Sequence, residues 1–343
     1  IAGSNDMVIY LPLDLGFITR KFVALINPLL FITTETEIWP NLITSLKQKN
    51  VPVILVNGRI SLGSFRGYSL VKYFLRDIFD YIRLFCMQTE GDARRIISLG
   101  ANRDLVKTTG NMKFDMNFDS LPASANHFNK DDAMPDYAKA LQVVLDPDAQ
   151  LLISGSTHNG EEEIILRVYQ QLLPQFSHLK LLIAPRHIER TPRVEKIIQG
   201  FGFNALRLSS LSAAKSVPQN SIFVLDTIGQ LRRLYELAAI VFIGGSLVKK
   251  GGHNIIEPAF FGKPVIVGPF MFNFKDITQA FLGKNAVIKV SDEMELLEEL
   301  RILLLSRTKR EAMGRLCQET IKENRGASEL TFRLIKEAIA RNA

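Results

Sequence analysis

The sequence predicts an α/β protein made of two doubly wound domains, each built on a parallel sheet. Three observations carry this reading. Short β-branched runs such as Val51–Val56 alternate with stretches of helical spacing along the chain, and uninterrupted apolar strands belong to parallel sheets covered on both faces. The alternation weakens between Asn111 and Asp148, where Pro, Asn, Asp and Ser collect as in a linker. A length of 343 residues also suits two domains of ordinary size. The boundaries read as 1–140 and 141–325, with 326–343 a C-terminal helix that crosses back to the first domain.

Composition bounds the function. Hydrophobic residues make up 47% and charged residues 22%, a normal globular balance. The net charge of +7 suits an anionic ligand or an anionic membrane surface, but no dense Lys/Arg block argues for nucleic acid. Cys86 and Cys317 have no metal spacing, which points to a reducing compartment without structural disulfides. No segment reaches the ~18 uncharged apolar residues of a spanning helix; Phe22–Thr34 comes nearest and is broken by Asn27-Pro28. The chain opens on Ile1 with no initiator Met or signal-like charge pattern. It reads as N-terminally truncated, with any membrane anchor lying upstream.

In the first half, Met7–Leu11 is a short apolar run that reads as a strand ending at Pro12. Leu29–Thr34 is another, followed by ETEIWPN and a helical pattern to Asn50. Val51–Val56 empties into Asn57-Gly58-Arg59-Ile60-Ser61. A long amphipathic helix reads from Tyr68 to Ile82, then a strand at Leu84–Met87 and a helix at Asp92–Leu99 capped by Gly100. Tyr68, Tyr73, Phe74 and Phe79 form an aromatic stripe on that long helix, read as facing the core in preference to resting on a membrane.

The second half repeats the pattern. Leu151–Ile153 leads into Ser154-Gly155-Ser156-Thr157-His158, with a helix at Glu161–Leu173. Leu179–Ala184 stops at Pro185-Arg186-His187 before a helix at Arg193–Phe201. Ser221–Leu225 leads to Asp226-Thr227-Ile228-Gly229 and a helix at Gln230–Ala238. A strand at Pro264–Val267 and C-terminal helices at 294–306, 309–324 and 328–343 complete the chain.

The densest signal is Val241–Ala259, VFIGGSLVKKGGHNIIEPA. An apolar strand runs into Gly244-Gly245-Ser246, and Gly251-Gly252-His253-Asn254 then precedes a helix beginning at Ile255 and Ile256. A glycine turn and a helix N-terminus aim bare amides and a positive dipole end at one point, which makes an anion site. Lys249 and Lys250 add positive charge, and Glu257 can accept hydrogen bonds from a ribose diol. The same letters fit a capping box, Asn254-x-x-Glu257, and doubled glycines also form ordinary tight turns. Both readings stand on these residues alone. Four strand ends of this half nevertheless finish in GSTH, PRH, DTIG and GGS with GGHN, and ligands of open α/β sheets sit outside the carboxyl ends of the strands. Together they point to a nucleotide or nucleotide-sugar site.

ETEIWPN at 35–41, NGRIS at 57–61, GSTHNGEE at 155–162, PRHIER at 185–190, LDTIGQL at 225–231 and GGSLVKKGGHNIIEPA at 244–259 resemble the 3-deoxy-D-manno-octulosonate (Kdo) transferases of lipopolysaccharide assembly. LPLD at 11–14 and GNMKFD at 110–115 also fit, so the resemblance runs from about Leu11 to Phe281. It implies two Rossmann-like doubly wound domains facing a central cleft (GT-B). The implied enzyme is inverting and metal-independent, and moves Kdo from CMP-Kdo to a lipid A precursor on the cytoplasmic face of the inner membrane. No cofactor and no metal site are implied. The spelling Asp146-Pro147-Asp148, like the Asp-x-Asp of metal-dependent glycosyltransferases, reads as a plain turn.

On this resemblance Gly244, Gly245, Ser246 and Asn254 cradle the donor phosphate and Glu257 holds the ribose. Arg186, followed by His187, meets the phosphate or the sugar carboxylate. The turn from Asp226 to Gly229 lies near the cytosine, and Ser156, Thr157 and His158 face the leaving phosphate. Donors and cations placed there would stabilise the charge that grows on CMP. In the first domain Arg59, Arg66 and Lys113 are candidates for the acceptor phosphates, and Glu35 and Glu37 for its hydroxyls. The general base, a Glu near the family's N-terminus, is expected upstream of Ile1. The catalytic residue is therefore unknown, with Glu35 or Glu37 open to the role on chemistry alone. Where the family has an Arg after the NxR-x-S motif this chain has Gly63, and Arg66 stands in for it. The alternatives are a UDP-sugar transferase or 2-epimerase of the same fold, and a non-catalytic nucleotide-binding fragment.

Overall fold

The structure, a computed structural model, describes residues 6–116, 141, 145, 148–211, 217–218 and 220–340. The linker expected between Asn111 and Asp148 falls mostly outside them, as do Asp146 and Pro147. Backbone contacts divide the chain into two compact units, Ile1–Ser120 with Asn324–Ala343, and Leu121–Glu323.

The first unit holds a parallel sheet of β1 (Phe31–Thr34), β2 (Val53–Gly58), β3 (Ile82–Met87) and β4 (Val106–Thr108), which lie side by side in that order. Strand β2 is buried at every position, as an apolar run covered on both faces should be. Helices α1 (Gly16–Ile26), α2 (Pro40–Gln48), α3 (Leu62–Leu70), α4 (Lys72–Phe79) and α5 (Glu90–Ser98) precede or link the strands. Helix α2 starts on Pro40, whose missing N–H costs nothing in the first turn. Helix α5 is capped by the Thr89 hydroxyl, which accepts the Asp92 amide. One face of the sheet packs Leu55, Phe79, Phe85 and Ile96 against Leu42 and Leu46.

Two expectations fail here. Met7–Leu11 is not a strand: it lies exposed, with Met7, Val8 and Tyr10 in solvent, and no described strand runs beside it to take its backbone hydrogen bonds. The long helix of 68–82 is two. Ser61 caps α3 six residues' worth of chain earlier than expected by accepting the Ser64 amide, the helix breaks at β-branched Val71, which leaves the helical region (φ −113, ψ 20), and Ile82 opens β3.

Among the described residues the second unit carries seven parallel strands: β5 (Gln150–Thr157), β6 (Leu179–Pro185), β7 (Asn204–Arg207), β8 (Ser221–Val224), β9 (Ile240–Ile243), β10 (Val265–Val267) and β11 (Val287–Lys289). Their order across the sheet is β11-β10-β9-β5-β6-β8-β7. The connecting helices are α6 (Glu161–Leu172), α7 (Thr191–Gly200), α8 (Leu231–Leu234), α9 (Ile256–Phe260), α10 (Lys275–Leu282), α11 (Glu293–Leu305) and α12 (Arg307–Asn324). Apolar side chains of β5, β6, β8 and β9 meet those of α6, α7 and α11 in one core that includes Leu181, Phe242, Leu166, Val194 and Leu300. The chain leaves β5 towards β6 and later returns to β9 on the other side of β5. This reversal is a topological switch point, and it brings the loops after β5 and β9 together at the carboxyl edge of the sheet.

The last described helix, α13 (Ala327–Ala340), belongs to the first unit. Its Leu334, Ile335 and Ala338 cover Ile54, Val56, Leu84 and Cys86 on the second face of that sheet. The Asp115 carboxylate accepts the amides of Gly326 (2.6 Å) and Ser328 (2.5 Å) at its start. No helix among the described residues is long and apolar enough to cross a membrane.

Candidate active site

Near the carboxyl end of strand β5, Ser156 takes a left-handed backbone conformation (φ 58) and turns the chain across the end of β9. The crossing is close. A Cβ on Gly244 would stand 2.4 Å from the Ser156 carbonyl oxygen and 2.6 Å from Thr157 Cα, so only glycine fits. One residue earlier in β5 the space is also taken at Gly155, where the Tyr235 hydroxyl fills the place of the missing side chain.

The turn that follows β9 already holds an anion, and it is the protein's own. Glu161, the first residue of α6, is fully buried. Its carboxylate accepts the amides of Gly245 (2.7 Å), Ser246 (3.0 Å), Leu247 (2.9 Å) and His158 (2.9 Å). Burial raises its pKa and these four donors pull against the rise. The expectation of bare amides at Gly244, Gly245 and Ser246 therefore does not hold: the Gly244 amide donates to the Gly155 carbonyl, and Glu161 takes the others. The Ser246 hydroxyl is also internal, donating to Ile243 O and accepting from the Gly268 amide.

Thr157 is likewise turned inward. Its hydroxyl donates to Glu162 Oε1 at 2.8 Å. The same buried carboxylate receives the Arg190 guanidinium through two bonds of 2.8 and 3.0 Å, and Arg190 also reaches the Thr157 carbonyl. This bidentate pair ties the loop after β5 to the loop after β6. Thr157 thus braces the site and does not face a ligand.

Three histidines collect above this frame. His158 Nε2 and His253 Nε2 lie 2.9 Å apart, with ring planes only 6° from parallel and centroids 5.2 Å apart. The His187 ring stands edge-on to His158 at 5.9 Å. Burial, together with His158, Arg186 and His187, pushes His253 down to about 4. Burial also lowers His158, helped by His187, Lys250 and Arg190. Both rings are neutral at pH 7, one donating and one accepting. His253 was not singled out from the sequence; its position inside the GGHN run was the available signal.

A cavity of about 280 Å³ opens beside the histidines, lined by Ser156, Arg186, His187, Thr227, Gly229 and Leu231 among others. Four sequence-named residues, Ser156, Arg186, His187 and Gly229, thus share one space. Asp226 holds its turn in place, accepting from the amide (3.1 Å) and hydroxyl (2.5 Å) of Ser209. Asn254 caps α9 through the Ile256 amide and donates its side-chain N–H to Glu257 Oε1 at 3.1 Å. Of the capping box only half is present, since Glu257 meets the Asn254 side chain. Burial raises the Glu257 pKa, and Asn254 and Arg232 offset this in part.

In the first unit, Glu35 sits in the left-handed region (φ 55) after β1 and pairs with Lys113 Nζ at 3.0 Å, so two of the five acceptor candidates partner each other. Arg66 and Glu37 are exposed and Arg59 is half-buried. The loop carrying Arg59 is held on both sides: Asn57 accepts the Met112 amide on its side chain and the Gln88 side chain on its carbonyl, and the Ile60 amide donates to Asp92. The aromatic stripe divides. Phe79 is buried and Tyr68 half-buried, but Tyr73 is 89% and Phe74 79% exposed. The core-facing reading is corrected for these two, because the break at Val71 turns them away from the sheet.

Residues 1–116 match the family model described as 3-deoxy-D-manno-octulosonic-acid transferase (kdotransferase), and residues 149–319 match glycosyl transferases group 1. The chain is 35% identical over 343 residues to a 3-deoxy-D-manno-octulosonic acid transferase of Haemophilus influenzae, covering 99% of this chain and 77% of that one. The chain belongs to the Kdo transferase family. This Kdo transferase is a glycosyltransferase of GT-B fold, and it is also 32% identical over 294 residues to the Aquifex aeolicus 3-deoxy-D-manno-octulosonic acid transferase, covering 86% of this chain and 71% of that one. Among solved structures, the C-terminal CMP-Kdo binding domain of WaaA from Acinetobacter baumannii is 29% identical with a TM-score of 0.50, covering 55% of this chain and 99% of the domain. The UDP-GlcNAc 2-epimerase of Neisseria meningitidis superposes with a TM-score of 0.59 over 94% of this chain and 79% of its own, but at 14% identity it shares the fold alone.

Proposed function

We propose that this Kdo transferase moves Kdo from CMP-Kdo to a lipid A precursor in lipopolysaccharide assembly, with inversion and without a metal ion, binding the donor at the carboxyl edge of the second unit's sheet. The observation that carries this is the cavity of Ser156, Arg186, His187 and Gly229 beside the His158–His253 pair, at the switch point between β5 and β9. Likeness to a solved CMP-Kdo binding domain over this half of the chain supports it.

The phosphate lies against Arg186 and His187, whose side chains are exposed at the cavity, with Lys250 adding charge to the same loops. The 226–229 turn takes the base and Glu257 the ribose. Because the 245–247 amides are spent on Glu161, side-chain cations and imidazoles supply the electrostatic stabilisation as the glycosidic bond breaks. Arg59, Arg66 and Lys113 offer cations to an acidic acceptor, and Glu35, Glu37 offer carboxylates to its hydroxyls. Exposed Tyr73 and Phe74 next to Lys72 and Arg76 form an apolar and basic face suited to an anionic membrane surface, which supports a reading in which the work is done at the cytoplasmic face of the inner membrane.

Calorimetric titration with CMP and, separately, UDP tests the donor assignment. A preference for CMP of tenfold or more, about 1.4 kcal/mol, is the expected result. Tighter binding of UDP would move the chain to a UDP-sugar reaction, and no binding of either would remove the nucleotide from this cavity.

A further inference from the structure

The proposed reaction changes the charge of its leaving group. In the donor the phosphate is a diester with one negative charge; in released CMP it is a monoester, doubly charged above a second pKa near 6. We propose that the His158–His253 pair takes up one proton from solvent when the phosphate monoester is bound, matching the charge which that phosphate gains. This inference rests on the donor reading given above.

The geometry supplies the acceptor atom. At 2.9 Å the two Nε2 atoms share one hydrogen bond, so one ring carries its proton on Nε2 and the other on Nδ1. The donor ring then keeps a lone pair on its own Nδ1. No described residue hydrogen-bonds either Nδ1. A solvent proton added there turns that ring into an imidazolium without disturbing the Nε2–Nε2 bond, which becomes charge-assisted and stronger. No other bond is made or broken.

The surroundings explain why the proton waits for the ligand. His187, Arg186 and Arg190 face the pair from the loop after β6, and Lys250 from the loop after β9. The nearby carboxylates are already committed: Glu162 to Arg190 and Thr157, and Glu161 to four backbone amides, that of His158 included. Without an anion the balance opposes another positive charge. A dianion reverses it, by the ordinary effect of an opposite charge a few ångströms away. The two rings also come from the loops after the two strands that flank the switch point, packed over Gly245, where an added Cβ would press on both at 3.2 Å. The pair therefore forms only when both loops are correctly placed.

Calorimetry of CMP binding near pH 7.5, where the free nucleotide is almost wholly a dianion, reads the proton directly. Titrations in two buffers of different ionisation enthalpy should show uptake approaching one proton per CMP, and cytidine should show none. Over the same range CMP affinity should fall up to roughly tenfold per unit rise in pH. His253→Asn should bind CMP more weakly and without uptake, and His187→Asn should bind it more weakly with the uptake kept. CMP binding by the unaltered protein with no proton uptake overturns the proposal while leaving the donor site intact, as does uptake unchanged in His253→Asn. Failure of the unaltered protein to bind CMP at all overturns the donor reading, and this inference with it.

Discussion

The Glu161 carboxylate receives the Gly245 amide at 2.7 Å across 84 positions of sequence. A turn with the form of a phosphate nest is thus filled from within. The carboxylate fixes the turn after β9 and, through the His158 amide, the loop after β5. It ties the loops after β5 and β9 into one frame.

Replacing that carboxylate should be costly. Glu161→Ala strands four amides, three of them on the buried turn after β9, and each unsatisfied buried donor costs about 1–3 kcal/mol. Urea denaturation should show a loss of several kcal/mol in the second unit, with Glu161→Gln intermediate because one oxygen remains to accept. An Ala variant as stable as the parent would mean that water or a rearranged turn serves the amides equally well.

The Arg190–Glu162 pair makes a second, separable prediction. Arg190→Ala leaves Glu162, wholly buried, without its counter-charge, a change worth about 3–5 kcal/mol in comparable sites. Pairing it with Glu162→Gln should recover most of the loss, since the buried charge is then gone. Thermal melts of the two singles and the double decide the matter through their coupling.

Which parts of this were legible in the sequence follows from where each residue is buried. Strands β2, β5 and β9 announce themselves because both faces are covered, and each contains an apolar run: Val53–Val56, Leu151–Ile153 and Ile240–Ile243. Strands β4, β7 and β11 do not: each has only three or four residues, and Lys107, Asn204 or Lys289 interrupts the signal at a sheet edge. Helix α1 likewise carries no start signal, since Leu15 at its N-cap offers no side-chain cap and its first turn has no acidic residue. Strand ends that share the switch point could be read as a group, and Ser156, Arg186, His187 and Gly229 do line one cavity. What the letters conceal is which groups spend their hydrogen bonds inside the protein. Gly245, Ser246 and Thr157 have the right chemistry for a ligand, but their partners Glu161 and Glu162 become visible only when the loops are folded together. His253 is the reverse case, a residue whose meaning comes from the ring it meets.

Glu257 carries a pH prediction. Its pKa is raised above 4.5 by burial, so the folded state favours the protonated acid more than the unfolded chain does. The stabilising contribution is complete below about 4.5 and is lost as pH rises through the raised folded value. Glu257→Gln should therefore flatten the stability profile across this window and raise the melting temperature at neutral pH, as differential scanning fluorimetry can record. An unchanged profile would show that Asn254 and Arg232 cancel the cost of burial.

Exposed aromatics in the first unit should matter for membranes and not for folding. Tyr73→Ser with Phe74→Ser removes apolar surface that nothing in the described unit covers, so the melting temperature should hold or rise. Flotation with liposomes containing anionic lipid should drop several-fold, consistent with the loss of two large interfacial anchors. Equal flotation of parent and variant would assign membrane contact to another surface.

Helix α13 has a consequence for the order in which the molecule is made. Ribosomes deliver the β1–β4 sheet early, but the helix that roofs Ile54, Val56, Leu84 and Cys86 follows the entire second unit in the chain. Until translation reaches it, that oily face waits uncovered, and the Asp115 carboxylate has no helix start to hold. A nascent first unit therefore carries exposed apolar surface for most of synthesis, the kind of surface that makes incompletely folded chains aggregation-prone.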